Sequence, residues 1–116
     1  ILTSLNQQDL KEIGFTGSTL ERATELAKLS VSAGARAIVC SPLEITAIRS
    51  AIPPEISIIT PGIRPIDQSK SDDQKRTMDP KGALQAGANY LVIGRPITAA
   101  QDPRIAAKLI LESALS

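Results

Sequence analysis

The chain has 116 residues, 42% of them hydrophobic and 22% charged, which supports one globular core and excludes a second, as well as a disordered or fibrous chain. Thirteen Lys and Arg are set against twelve Asp and Glu, a formal net charge of +1; with the two signs mixed along the chain, the basic footprint of a nucleic-acid binder is missing. There is no His, so histidine metal sites and histidine acid-base chemistry are excluded.

Taken in chain order, Ile1-Leu2-Thr3-Ser4 has neither an initiator Met nor a charged leader and reads as the tail of a strand, a possible fourth strand of the sheet described below. The expectation is a chain that begins within a larger structure. Asp9-Leu10-Lys11-Glu12 has the spacing of a solvated helical face rather than of a catalytic pair. Ser18 with Glu21 forms a capping box; Leu20, Ala23, Ala27 and Val31 then share one helical face until Gly34 stops the helix, predicting about four turns. Ser41-Pro42 with Glu44, Asp79-Pro80 and Asp102-Pro103 each set a capping side chain before a proline at the first helical position, where the missing N–H costs nothing. Three more helices are predicted to start there.

Between the helices lie three short apolar runs, Ala35 to Cys40, Ile56 to Thr60 and Tyr90 to Ile93. They are far below the roughly 18 residues of a membrane span. Such continuous runs predict strands buried on both faces of a parallel sheet. The first and third each follow Ala-Gly-Ala, as one unit used twice. Cys40, the single cysteine, sits in an apolar run with no evident activator, reads as a core residue, and fits a reducing, cytoplasmic setting. With only Phe15 and Tyr90 aromatic, the core is expected to be aliphatic and the stacking platforms of single-strand binders are missing.

Regular β-α alternation implies right-handed crossovers. Four such units are about half of a closed eight-unit barrel, which takes about 250 residues. A small doubly wound sheet is the competing architecture, although neither G-x-G-x-x-G nor G-x-x-x-x-G-K-[ST] occurs. In barrels of this kind, ligands lie at the C-terminal ends of the strands and phosphate is held by the last two loops. The first of those loops here starts Pro61-Gly62-Ile63-Arg64-Pro65 and runs to Asp79, far beyond the usual connection of about 2–6 residues. Arg64 and Gln74 on it can serve a lid that closes over an anionic ligand, and a solvated surface loop is the plain alternative. Asp72-Asp73 reads as solvated rather than as a magnesium site. The final strand ends in Ile93-Gly94-Arg95-Pro96, where the Gly94 and Arg95 N–H groups and the Arg95 guanidinium can face a phosphate; alone, this is also an ordinary strand-end turn.

Leu2-Thr3-Ser4, Thr60-Pro61-Gly62-Ile63-Arg64-Pro65, Asp73-Gln74-Lys75-Arg76 and Tyr90-Leu91-Val92-Ile93-Gly94-Arg95-Pro96-Ile97, in this order and spacing, resemble the C-terminal half of bacterial orotidine 5′-phosphate decarboxylase across essentially the whole chain. The resemblance implies a TIM (β/α)8 barrel of which residues 1–116 supply the end of strand five through helix eight, the N-terminal half lying outside this chain. It implies conversion of orotidine 5′-phosphate to uridine 5′-phosphate in pyrimidine biosynthesis, without metal or organic cofactor, by a cytoplasmic homodimer. It assigns Thr3 to the pyrimidine nucleotide, Arg64 and Gln74 to the phosphate, with Gln74 also reaching the base, and Gly94 and Arg95 to the rest of the phosphate site. The family's catalytic Asp-x-Lys-x-x-Asp segment is not in this chain. Asp9-x-Lys11 follows strand five and has Gly14 where the second Asp belongs, so no catalytic residue is assigned and the chain alone is expected to be inactive. Another barrel enzyme acting on a sugar phosphate, or a non-catalytic α/β module, are the competing functions.

Overall fold

A computed structural model describes residues 1–65 and 76–116 of the chain. Its elements alternate as the sequence patterns predict. A one-and-a-half-turn helix α1 (Gln7–Glu12) precedes α2 (Thr19–Ser32), β1 (Ala37–Val39), a 3-10 turn (Pro42–Glu44) running into α3 (Ile45–Ala51), and β2 (Ser57–Thr60). After the long connection come α4 (Pro80–Ala86), β3 (Tyr90–Leu91), α5 (Arg95–Thr98) and α6 (Pro103–Leu115). The three strands pair in the order β1-β2-β3, all parallel, with Ile38 opposite Ile58 and Ile59 opposite Tyr90. None of the helices among the described residues is long and apolar enough to cross a membrane.

The caps are where the sequence places them. The Ser18 hydroxyl accepts the Glu21 N–H at 3.1 Å and the Glu21 carboxylate accepts the Ser18 N–H at 3.0 Å, so two of the orphan donors of α2 are satisfied reciprocally. Asp79 and Asp102 cap α4 and α6 through the N–H groups of Gly82 and Ile105. The repeated Ala-Gly-Ala is one device used twice. Gly34 and Gly87 adopt φ +104° and +115°, and the residue after each returns a bond five residues back, Ala35 to Ser30 at 2.9 Å and Ala88 to Ala83 at 3.1 Å. That left-handed closure turns each helix directly into the next strand.

The core is aliphatic, with Ala23, Ala27, Ile38, Ile45, Ile48, Ile58, Ile63 and Ala83 buried together and both aromatic side chains, Phe15 and Tyr90, exposed. Each fully buried Ile contributes about 1.5–3 kcal/mol relative to exposure. Leu20, expected on the buried face of α2, is 44% exposed because the inward stripe runs through Ala23 and Ala27.

Among the described residues the strands are covered on one face, as half of a barrel would be: Ile38 and Ile58 point into the helical layer, while Val39, Tyr90 and Val92 are 63%, 62% and 52% exposed. The helices α2, α3 and α4 cover one side of the sheet, and the described residues bring no layer to the other. One expectation is corrected: Ile1 to Ser4 is not a strand but a turn, closed by the Leu5 N–H on the Leu2 carbonyl at 3.0 Å. Its carbonyls are claimed by an arginine side chain instead of a neighbouring strand.

Candidate functional site

The sheet delivers its functional candidates to one rim. β2 ends at Thr60, β3 at Leu91, and because the two are parallel neighbours, Pro61 to Arg64 and Val92 to Arg95 leave the sheet side by side at its C-terminal edge. The ladder runs on past the strands, with the Val92 N–H on the Thr60 carbonyl at 2.8 Å and the Cys40 N–H on the Ile59 carbonyl at 3.1 Å. Thr60 is fully buried and its hydroxyl donates to the Cys40 carbonyl at 3.2 Å, locking the end of β2 to that of β1.

The long connection after β2 is closed at its base. Ile63 and Met78 form a parallel bridge, with Arg64 N–H to Met78 O at 3.0 Å and Met78 N–H to Gly62 O at 3.3 Å. Gly62 makes this closure possible. Its φ is +73°, and a methyl group there would stand 2.9 Å from the Arg76 carbonyl oxygen and 3.3 Å from Thr3 Cγ2. Backbone conformation and space both exclude a side chain at 62.

Behind Gly62 lies a buried ion pair that links three segments. Arg76, 7% exposed, donates through Nη1 to Oε1 of Glu44, itself 2% exposed. Its Nη2 reaches the Leu2 carbonyl at 2.8 Å and the Ile1 carbonyl at 3.2 Å, while Nε has no partner among the described residues. The second Glu44 oxygen accepts the Ser41 N–H at 3.2 Å as part of the capping box. Both charges are therefore paired and hydrogen-bonded, which burial requires. Beside Glu44, burial pushes the Cys40 thiol up to about 11; a hydrogen bond with Thr60 opposes the rise and the Glu44 carboxylate adds to it. Cys40 is a neutral thiol at pH 7, a core residue as expected.

Of the five expected site residues, Thr3 is 6% exposed and packed against Gly62, and Arg64 is 7% exposed with Nη1 donating to the Ile63 carbonyl at 2.8 Å. Gly94 and Arg95 are exposed at the start of α5, on the adjacent strand end. Nothing internal calls for glycine at 94: its φ is −104° and a methyl group there would meet no atom within 4 Å. Gln74 lies outside the described residues, as do Asp72 and Asp73. Asp9 is accounted for structurally, its carboxylate accepting the Asn6 N–H at 2.7 Å in a third capping box, the one that opens α1. A groove of about 500 Å³ lined by Pro65, Pro80, Pro96, Leu109 and Ile110 lies among α4, α5 and α6, with Pro65 and Pro96 directly following Arg64 and Arg95 in the chain.

The sequence reading missed Glu44 and Arg76 as partners. The capping box gave Glu44 a sufficient local role, and a pair 32 residues apart leaves no periodic signal. It also missed α5, one turn long, placing no helix after Gly94 although proline in the first turn was a usable helix signal.

Residues 1–110 match the family model described as orotidine 5′-phosphate decarboxylase / HUMPS family. The chain is 51% identical over 112 residues to the orotidine 5′-phosphate decarboxylase of Trichlorobacter lovleyi, covering 97% of this chain and 46% of that protein. It is 49% identical over 111 residues to that of Opitutus terrae, covering 96% and 48%. The crystal structure of orotidine 5′-phosphate decarboxylase from Lactobacillus acidophilus superposes with a TM-score of 0.79 at 32% identity, over all of this chain and 47% of that one. The chain thus spans about half the length of the curated relatives it matches, and its parallel β/α layers are part of a (β/α)8 barrel.

Proposed function

The chain belongs to the orotidine 5′-phosphate decarboxylase / HUMPS family, and we propose that residues 1–116 are the C-terminal half of a single barrel domain that converts orotidine 5′-phosphate to uridine 5′-phosphate, this half holding the nucleotide and its phosphate. The observation that carries the proposal is the convergence of Thr60-Pro61-Gly62-Ile63-Arg64 and Ile93-Gly94-Arg95 at the C-terminal ends of adjacent parallel strands, the rim where barrels bind their ligands.

In this reading the exposed Arg95 guanidinium and the Gly94 and Arg95 N–H groups receive the phosphate. The open space in front of Gly94 is where an oxygen approaches the backbone. Arg64 faces the same ligand from the neighbouring loop, Gln74 adds its amide from the connection, and Thr3 meets the nucleotide at the mouth. Binding energy collected at the remote phosphate is spent at the reacting ring, so these residues affect rate as well as affinity. The proton donor and its charged partners belong to the other half of the barrel, whose strands would cover the open face that carries Val39, Tyr90 and Val92. The proposal includes a cytoplasmic homodimer and no metal or organic cofactor.

Two measurements test it. Arg95→Ala should weaken uridine 5′-phosphate binding by about 1.5–3 kcal/mol, the cost of a charged hydrogen-bonding partner, as read by titration calorimetry; a sugar-phosphate enzyme would prefer a pentose phosphate in competition, and a non-catalytic module would show no change. The 116-residue chain by itself should leave the absorbance of orotidine 5′-phosphate unchanged, and a clear decay would refute the division of labour between halves.

A further inference from the structure

We propose that Arg76 is a positioning residue of this site: by donating to the Glu44 carboxylate and to the carbonyl of the Leu2-Thr3 peptide at once, it seats Thr3 against Gly62. The inference rests on the functional reading above for what Thr3 binds, and on geometry alone for how Thr3 is held.

What meets the carbonyls of the N-terminal segment is a guanidinium. Its Nη2 lies 2.8 Å from the Leu2 carbonyl and 3.2 Å from that of Ile1, and the Leu2 carbonyl shares a rigid peptide plane with the Thr3 nitrogen. Orienting that carbonyl orients the Thr3 backbone. The same residue defines the opposite wall: the Arg76 carbonyl oxygen and the Thr3 methyl converge on Gly62, 2.9 and 3.3 Å from the position of a methyl group there. Glu44 anchors the fork from the β1 end, since its own position is set by the Ser41 N–H. Arg76 thereby ties together the ends of β1 and β2 and the residue assigned to the nucleotide. Lysine cannot replace it. A single ammonium retains the charge but lacks the planar fork that addresses a carboxylate on one nitrogen and carbonyls on another.

The test uses the polypeptide as its source makes it, carrying Arg76→Lys, Thr3→Ala or both, with uridine 5′-phosphate as probe. Arg76→Lys should keep the fold, lose the NMR cross-peak between the Thr3 methyl and the Gly62 α-protons, and raise the Kd by about tenfold, a size within the coupling of residues that share one hydrogen-bonded network. Because Arg76 acts through Thr3, the double variant should bind no more weakly than Thr3→Ala alone, a non-additivity that a general loss of stability would not produce. An intact cross-peak in Arg76→Lys, or additive losses in the double variant, would overturn the inference. If the unsubstituted protein does not bind uridine 5′-phosphate, the functional reading fails and the cross-peak alone decides the positioning role. If Arg76→Lys does not fold, Glu44→Gln takes its place: it keeps the Ser41 acceptor, and the cross-peak should weaken rather than persist.

Discussion

Two arginines tie the sheet at opposite ends, and they work in different media. At the N-terminal ends of the strands, Arg49 donates to the Ile56 carbonyl at 2.8 Å, the Gly87 carbonyl at 3.1 Å and Asn89 Oδ1 at 2.7 Å, while the same Asn89 oxygen accepts the Ile58 N–H at 2.8 Å. That latch is half exposed and contains no counter-charge within hydrogen-bonding distance among the described residues. At the C-terminal ends, Arg76 is buried and its latch is built on the carboxylate of Glu44. Water can replace a partner lost from the first; nothing can replace one lost from the second. The difference indicates that the Arg49 latch serves assembly of the sheet, whereas the Arg76 latch carries the higher cost of burial at the rim to which the proposed function assigns the ligand.

The largest expected effect follows from breaking the Arg76 latch on one side. Glu44→Ala leaves a buried guanidinium without its carboxylate and should cost about 3–5 kcal/mol in urea unfolding; a loss below 1 kcal/mol would make the two latches equivalent. Gly62→Ala comes next, at about 1–2 kcal/mol for the left-handed backbone, with more from the 2.9 Å approach to the Arg76 carbonyl. Arg49→Met, in the half-exposed latch, should cost only about 1 kcal/mol, because water takes over most of the three hydrogen bonds it removes. Arg95→Ala, exposed beside the same rim, should leave stability within about 0.5 kcal/mol while weakening nucleotide binding, which separates ligand residues from latch residues.

The pH dependence is a smaller probe of the same buried corner. The Cys40 thiol titrates near 11 in the fold against 9.0 unperturbed, so its folded-state pKa is the higher one. The stability it contributes is complete below about 9 and is lost as pH rises through about 11. Alkylation of Cys40 should therefore be slow at pH 9 and accelerate only as the chain opens; Cys40→Ser should remove this part of the alkaline dependence.

Local chemistry made much of the fold legible. Ser18 with Glu21, and the three proline starts at 42, 80 and 103, announce helices because a cap and its N–H partner are three residues apart, a distance that sequence spacing measures directly. Gly34 and Gly87 announce strands for the same reason. The strand-end pair at 60–64 and 93–95 was legible as a pair because β-α alternation makes the strands parallel and adjacent. The open sheet face follows from the count of units: continuous apolar runs record that both faces of a strand suit burial, and four β-α units supply only half of the barrel that would bury them.

The order of elements, their caps, the aliphatic core and the rim that carries Arg64 and Arg95 can be read from the amino acids alone, because all of them depend on neighbours within a few residues or on a repeating period. How Ile1 to Ser4 is held, and what Glu44 and Arg76 do, emerges from the folded chain. Their partners are 32 and 74 residues apart along the chain, and a charge becomes a latch through the burial and geometry that bring those segments together, neither of which has a signature in local spacing.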